Sequence, residues 1–241
     1  KVRGLSSRIR QPGLGAALIG KSQRNVGAGI RPLKPVTAFL RIDGSLKGLA
    51  AGASSVLEFH SAFGPGTVTV ANQTVPLETD VTVQMAYGLN QSAAWRIERL
   101  QFLSLQELIP TDVYLSQPYE KGRIPVVFVH GTFSSPVWWA EMLNALRADP
   151  ELRQRYQFWY FIYNSGKPII YSADRLREPL TARIRALDPA GNDTALQQMV
   201  VIGHSQGGLL TKLTATDTGD KLLAVVLKTN RLSDLDIPLD D

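Results

Sequence analysis

The residue best placed to do chemistry is Ser205, at the centre of Gly203-His204-Ser205-Gln206-Gly207. It follows the apolar run Met199-Val200-Val201-Ile202 and precedes a helical segment, Gly207–Ala215. Strand, Gly-x-Ser-x-Gly turn and helix, in that order, form a nucleophile elbow. Such a turn is sharp and strained, and it lifts the serine hydroxyl above the sheet edge. Gly203 and Gly207 leave room for the turn, because a Cβ at either place would clash. Gly208 continues the glycine-rich start of the helix. The chemistry this suggests is attack on an acyl carbon, which passes through a tetrahedral oxyanion. Two backbone N–H groups must point at that oxygen, and loss of one such donor costs about 3–4 kcal/mol. One donor is the residue after the nucleophile, Gln206. The other comes from a loop after a central strand, and His130-Gly131-Thr132-Phe133 follows Ile124–Val129 directly, which makes Thr132 the candidate. The helix after the elbow also turns its positive dipole end to the site.

The elements that must hold these residues read as follows. Residues 1–35 carry eight Lys/Arg and six Gly in the first 34 positions with no Asp or Glu, and predict a mobile basic arm or linker. Contact with an anionic membrane surface through residues 1–34 is one use of such an arm. The other reading is a solvated segment, and no nucleic-acid partner is expected. Residues 36–110 predict a β-rich module, with strands at Val36–Ile42, Val56–Ser61, Thr67–Ala71, Thr74–Leu77 and Val81–Ala86 separated by Gly, Pro and Asn turns. Residues 92–109 read equally as helix or strand. From 111 to 241 the order changes to strand and helix in alternation. Val113–Ser116 and Ile124–Val129 flank a hairpin-like loop at Tyr119–Gly122. A helix capped by Ser135, with Pro136 at its first position, carries Trp138, Trp139, Met142, Leu143 and Leu146 at helical spacing. Phe158–Tyr163 is a further apolar strand, and Ser172–Leu187 a helix that Pro179 should kink or begin. Residues 219–230 read as helix, with a strand at Leu223–Leu227 as the alternative, and 231–241 as loop. Alternating strands and helices predict a mostly parallel sheet flanked by helices, with Ser205 at the carboxyl end of a strand.

The pair His-Gly-Thr after one strand and Gly-His-Ser-Gln-Gly-Gly after another resembles the α/β-hydrolase superfamily. Within it the chain is similar to bacterial esterase/lipase-like proteins. The resemblance covers residues 111–217. It implies an α/β-hydrolase fold, Ser205 as nucleophile, Gln206 and Thr132 as oxyanion donors, and a carboxylic ester as substrate, lipid esters included. Gly203, His204, Gly207, Gly208, His130 and Gly131 would support the elbow and its facing loop, and Phe133 could line an acyl pocket. A Ser-acid-His order is implied too, yet only 36 residues follow Ser205 and none is a histidine. Asp217 and Asp220 lie too near the elbow helix to be the acid, and Asp234 and Asp236 have no histidine beyond them. His60 stands in the wrong chain order for a base. The expectation is therefore a truncated α/β-hydrolase fold, an N-terminal piece of a longer hydrolase whose remaining triad members lie elsewhere. The strand that feeds Ser205 would then lie at an open edge. The competing reading is a non-catalytic envelope or interaction protein on a degenerate scaffold.

Composition narrows the classes further. The chain has 44% hydrophobic and 20% charged residues, as in ordinary globular proteins. Without cysteine, it has no thiolate chemistry, disulfide or cysteine metal site. Its three histidines, His60, His130 and His204, show no metal-ligand spacing, and no cofactor is expected. No apolar stretch is long enough to span a bilayer as a helix. Neither localisation nor oligomeric state is legible, although a basic arm suits a membrane-adjacent bacterial setting.

Overall fold

Continuous apolar runs and alternating ones end in different sheets of this protein. The computed structural model describes residues 2–21, 33–42, 54–91 and 109–217, with a few isolated positions besides. The expected segments 92–108, 222–230 and 231–241 lie outside the described residues.

The N-terminal half builds three small antiparallel sheets. β1 (Arg10–Gln11) pairs with β7 (Thr79–Asp80), and β5 (Thr67–Val70) pairs with β6 (Gln73–Pro76). β2 (Ala16–Lys21), β3 (Leu33–Ile42) and β4 (Ser55–Ser61) lie side by side in that order. The β5-β6 turn places Ala71 at φ 48° and Asn72 at φ 62°. Two positive φ values match the twist of a tight hairpin. β3 buries Pro35 and Thr37 on its inner side, where the Thr37 hydroxyl donates to the Glu78 carbonyl.

The basic arm is corrected by these pairings. Arg10–Gln11 and Ala16–Lys21 are strands rather than parts of a mobile linker, and Leu5 is buried against Leu89 and Ala140. Arg8 meets Asp80 at 2.7 Å, and Arg10 is bonded to Glu78. Acidic partners far along the chain thus neutralise charge that looked unopposed in sequence. Val81–Ala86 is corrected as well. Asp80 Oδ1 accepts the N–H groups of Thr82 and Val83 at 3.1 and 3.0 Å, and this starts helix α1 (Val83–Gln91) where a strand was expected.

The remaining strands, β8 (Asp112–Leu115), β9 (Ile124–Val129), β10 (Tyr156–Ile162) and β11 (Val200–Gly203), form one mixed sheet in the order β11-β9-β10-β8. β11, β9 and β10 run parallel, and β8 runs antiparallel to β10. All six residues of β9 are buried, as its unbroken apolar run requires of a strand covered on both faces. β8 and β9 are no hairpin: each lies beside β10, and the loop at Tyr119–Gly122 only bridges them.

This topology overturns the α/β-hydrolase fold. Among the described residues most of the sheets are small and antiparallel, and the one larger sheet is mixed, so these residues build no parallel-sheet hydrolase core flanked by helices. The physical reason lies in the connections. Parallel pairs need long crossovers, which among the described strands β9, β10 and β11 use, whereas β5 and β6 are joined by a tight turn and the other pairs run antiparallel.

Two cores pack on the mixed sheet. Leu176 and Leu180 of α4 (Ile169–Leu187) and Leu210 of α5 (Gln206–Ala215) cover Val127, Val129, Trp159 and Phe161. Leu143 of α2 (Ala140–Ala148) covers Val126, Phe128 and Phe158. Ser135 makes no side-chain cap, because a 3-10 turn at Pro136–Trp139 precedes α2. A short helix, α3 (Pro150–Arg155), had no counterpart in the sequence reading; Asp149 caps it through the N–H groups of Glu151 and Leu152. Pro179 lies inside α4 and does not begin it.

Residue 110 is no gap in the packing. Thr82 Oγ1 donates to Asn144 Oδ1 at 2.8 Å, and Gln84 Nε2 to the Ser116 carbonyl at 2.8 Å. Buried Arg147 donates to Gln84, Ser116 and Gln117 between the rings of Phe63 and Phe158. Burial lowers its pKa to about 10, which leaves it charged at neutral pH.

Candidate active site

Three parallel strands end at the same side of the mixed sheet, and their following loops meet there. β9 delivers His130–Phe133, β10 delivers Tyr163–Gly166, and β11 delivers His204 and Ser205. An exposed Ser205 begins α5, with φ 55° and ψ −123°. These angles lie outside the left-handed basin that L-residues occasionally use, so the serine is held in a strained turn.

The glycines around it are required by contact. A Cβ on Gly203 would lie 2.2 Å from the Gly207 carbonyl oxygen, and one on Gly207 would lie 2.3 Å from that of Val129. Both are backbone atoms that cannot yield. At Gly131 a Cβ would come within 2.9 Å of the Ser205 Cβ, so the β9 loop packs directly on the serine. Gly208 is different: its nearest neighbour would be an ordinary 3.5 Å away.

The elbow and the loop are joined by hydrogen bonds. Thr132 Oγ1 donates to Gln206 Oε1 at 2.6 Å. The His204 N–H donates to the Val129 carbonyl at 3.0 Å, and the Gly207 N–H to the His204 carbonyl at 2.9 Å. Gln206 stands at the first helical position, where an N–H has no intrahelical acceptor. That free donor, with the positive end of the α5 dipole, favours an anion beside Ser205.

His130 is buried, stacked on Tyr163 at 4.5 Å, with Nδ1 3.0 Å from the Gly131 carbonyl. Burial pushes its pKa down to about 4, so at neutral pH it is an uncharged support for the loop. The Tyr163 hydroxyl donates to the His130 carbonyl at 2.9 Å, and burial raises that phenol's pKa. The Phe133 N–H donates to Ser165 Oγ at 3.3 Å, which pins Phe133 at φ 50° with its ring 51% exposed. Tyr163 and Ser165 were missed in the sequence. Their signal was the polar turn Asn164-Ser165-Gly166 at the carboxyl end of an apolar strand.

Other expected residues are placed elsewhere. Trp138 is 65% exposed and lines an open groove of about 710 Å³ with Val2, Leu5 and Val137, a groove that includes no elbow residue. Trp139 instead meets the His204 ring edge-on at 6.4 Å. His60 is bonded to Glu58 within β4 at 2.8 Å. Asp217 accepts the Gly219 N–H, while Asp220, Asp234 and Asp236 lie outside the described residues. None of the three histidines hydrogen-bonds Ser205, and the serine hydroxyl does not cap its own helix. Among the described residues no three acidic or histidine side chains converge as a metal site would need.

Compared with family models, characterised proteins and solved structures, the chain matches none.

Proposed function

We propose that this protein is a serine hydrolase acting on carboxylic esters, lipid esters among them, through an acyl-enzyme on Ser205. One observation carries the reading: an exposed serine at φ 55° and ψ −123°, between a strand and a helix N-terminus, with the Gly131 loop packed against it. Backbone strain of this kind persists only where the surroundings enforce it, and it concentrates at functional sites. In the proposed reaction Ser205 Oγ attacks the acyl carbon. The N–H groups of Gln206 and Thr132 receive the oxyanion, the alcohol leaves, and water then frees the acid. The Ser205 proton passes to a general base other than His60, His130 and His204. Phe133, exposed on the same β9 loop as Thr132, would contact the acyl group.

That none of the three histidines, all among the described residues, bonds Ser205 supports a second reading, an interaction protein on a degenerate scaffold. A fluorophosphonate probe separates the two, since it labels activated serine hydroxyls. Labelling of the wild type, lost in Ser205→Ala together with turnover of p-nitrophenyl esters, is the outcome expected for the hydrolase. Equal labelling of a folded Ser205→Ala protein removes the nucleophile assignment. A folded wild type that neither labels nor turns over ester favours the interaction protein.

A further inference from the structure

We infer that the bare face of the β2-β3-β4 sheet docks on an anionic lipid surface. This inference does not depend on the chemistry at Ser205. Residues opposite one another across an antiparallel pair share a face. The register sets Leu18 opposite Val36, Leu40 opposite Leu57, Ala38 opposite Phe59 and Gly20 opposite Lys34. These side chains therefore form a single surface. It is open: Leu18 is 46%, Leu40 55%, Leu57 57% and Phe59 63% exposed. The opposite face is the one seated on the protein, through buried Pro35 and Thr37.

An antiparallel sheet with one covered face ordinarily turns polar residues to water. Here the polarity is reversed, and contiguous apolar surface of this kind marks an interaction site. Charge selects the partner. Lys34 is the sole charged residue on this face among the described strand residues, and it is a cation. Lys21, which ends β2, pairs with Leu33 and so belongs to the other face. The carboxylate of the neighbouring strand, Glu58, belongs to the other face, where Arg41 holds it at 2.5 Å. Among the described strand residues nothing anionic on this face therefore opposes lipid phosphate. Apolar side chains that enter the interface and a cation, here Lys34, that meets a headgroup phosphate are two signals that act together in reversible membrane attachment.

The test is flotation of the 241-residue chain with two kinds of vesicle, phosphatidylcholine alone and an equal mixture with phosphatidylserine. The wild type is expected to float with the mixed vesicles, less so at high salt. Leu57→Ser/Phe59→Ser should lower partitioning by about tenfold or more while leaving the unfolding midpoint unchanged, because both side chains are exposed. Lys34→Glu should remove the preference for phosphatidylserine. The proposal is overturned if the wild type stays unbound, or if the double variant floats as the wild type does. It is equally overturned if light scattering finds a wild-type dimer that the double variant dissociates, which would assign this face to a second copy of the chain.

Discussion

The β2-β3-β4 sheet and the β8–β11 sheet use similar residues to opposite ends. Both are rich in Val, Leu, Ile and Phe. In the mixed sheet the central strands are covered on both faces, and β9 is buried from end to end. In the antiparallel sheet one face is covered and the other lies open at Leu40, Leu57 and Phe59. Strand direction makes the further difference. Antiparallel neighbours send successive turns to opposite ends, so no end of that sheet gathers three loops. Parallel neighbours send every following loop to one end, and this is how His130–Phe133, Tyr163–Ser165 and Ser205 come together. The candidate chemical site thus lies on the parallel strands, and the proposed docking surface on the antiparallel ones.

Backbone crowding should separate the two sheets most strongly. Gly207→Ala at the elbow forces a Cβ to 2.3 Å from a carbonyl oxygen, whereas Gly20→Ala in β2 meets its nearest atom at 3.5 Å. Urea unfolding should show a loss of about 4 kcal/mol for the first and under about 1 kcal/mol for the second. Similar stabilities for the two variants would show that the elbow is not closely packed.

A pH effect of intermediate size is expected from His130. Its folded pKa of about 4 lies below the ordinary value of 6.5 because burial disfavours the charged ring. The unfolded chain therefore takes up the proton first as pH falls. The stability contributed by the neutral ring is complete above pH 6.5 and is lost progressively towards pH 4. Between pH 7 and pH 5 the loss should be about 2 kcal/mol. His130→Gln should flatten that part of the curve in urea titrations at the two pH values. An unchanged slope in the variant would place the titration elsewhere.

The smallest effect concerns strain. Ser205 and Asn72 both have positive φ, at 55° and 62°. Asn72 sits in a hairpin turn that tolerates asparagine, while Ser205 has a ψ that favours only glycine. Ser205→Gly should stabilise by about 1–2 kcal/mol, and Asn72→Gly by less than about 0.5 kcal/mol. Thermal unfolding of both variants checks the order, and equal gains would mean that the serine carries no special strain.

Local signals survived from sequence to structure. Ile124–Val129 is β9 to the residue, since an unbroken apolar run has few alternatives. β4, β5 and β6 were placed within a residue of their ends, because alternation and turn residues act locally, whereas β3 began three residues earlier than read and β1, β2 and β7 were missed. The elbow was legible for the same reason: Gly203, Ser205 and Gly207 carry their own steric argument. Residues whose roles depend on distant partners could not be read. Arg8 and Arg10 looked like part of a mobile arm until Asp80 and Glu78 met them. Tyr163 and Ser165 lay in a strand end with no motif of their own, and only the alignment of β10 beside β9 brings them to His130 and Phe133. His130 could be named as loop support, but the depth that keeps it uncharged is a property of packing.

By itself, then, the sequence determined the strand that feeds Ser205, the turn that holds it and the loop that could face it. These follow from local sterics and apolar patterning, which need no knowledge of distant contacts. Tertiary structure alone decided that the sheets are mostly small and antiparallel. It also decided that Gly131 packs on Ser205, that no histidine reaches the serine, and that Leu57 and Phe59 face outward. Each of these is a matter of which strands pair and in which direction, and that choice is made by long-range contacts that no local pattern encodes.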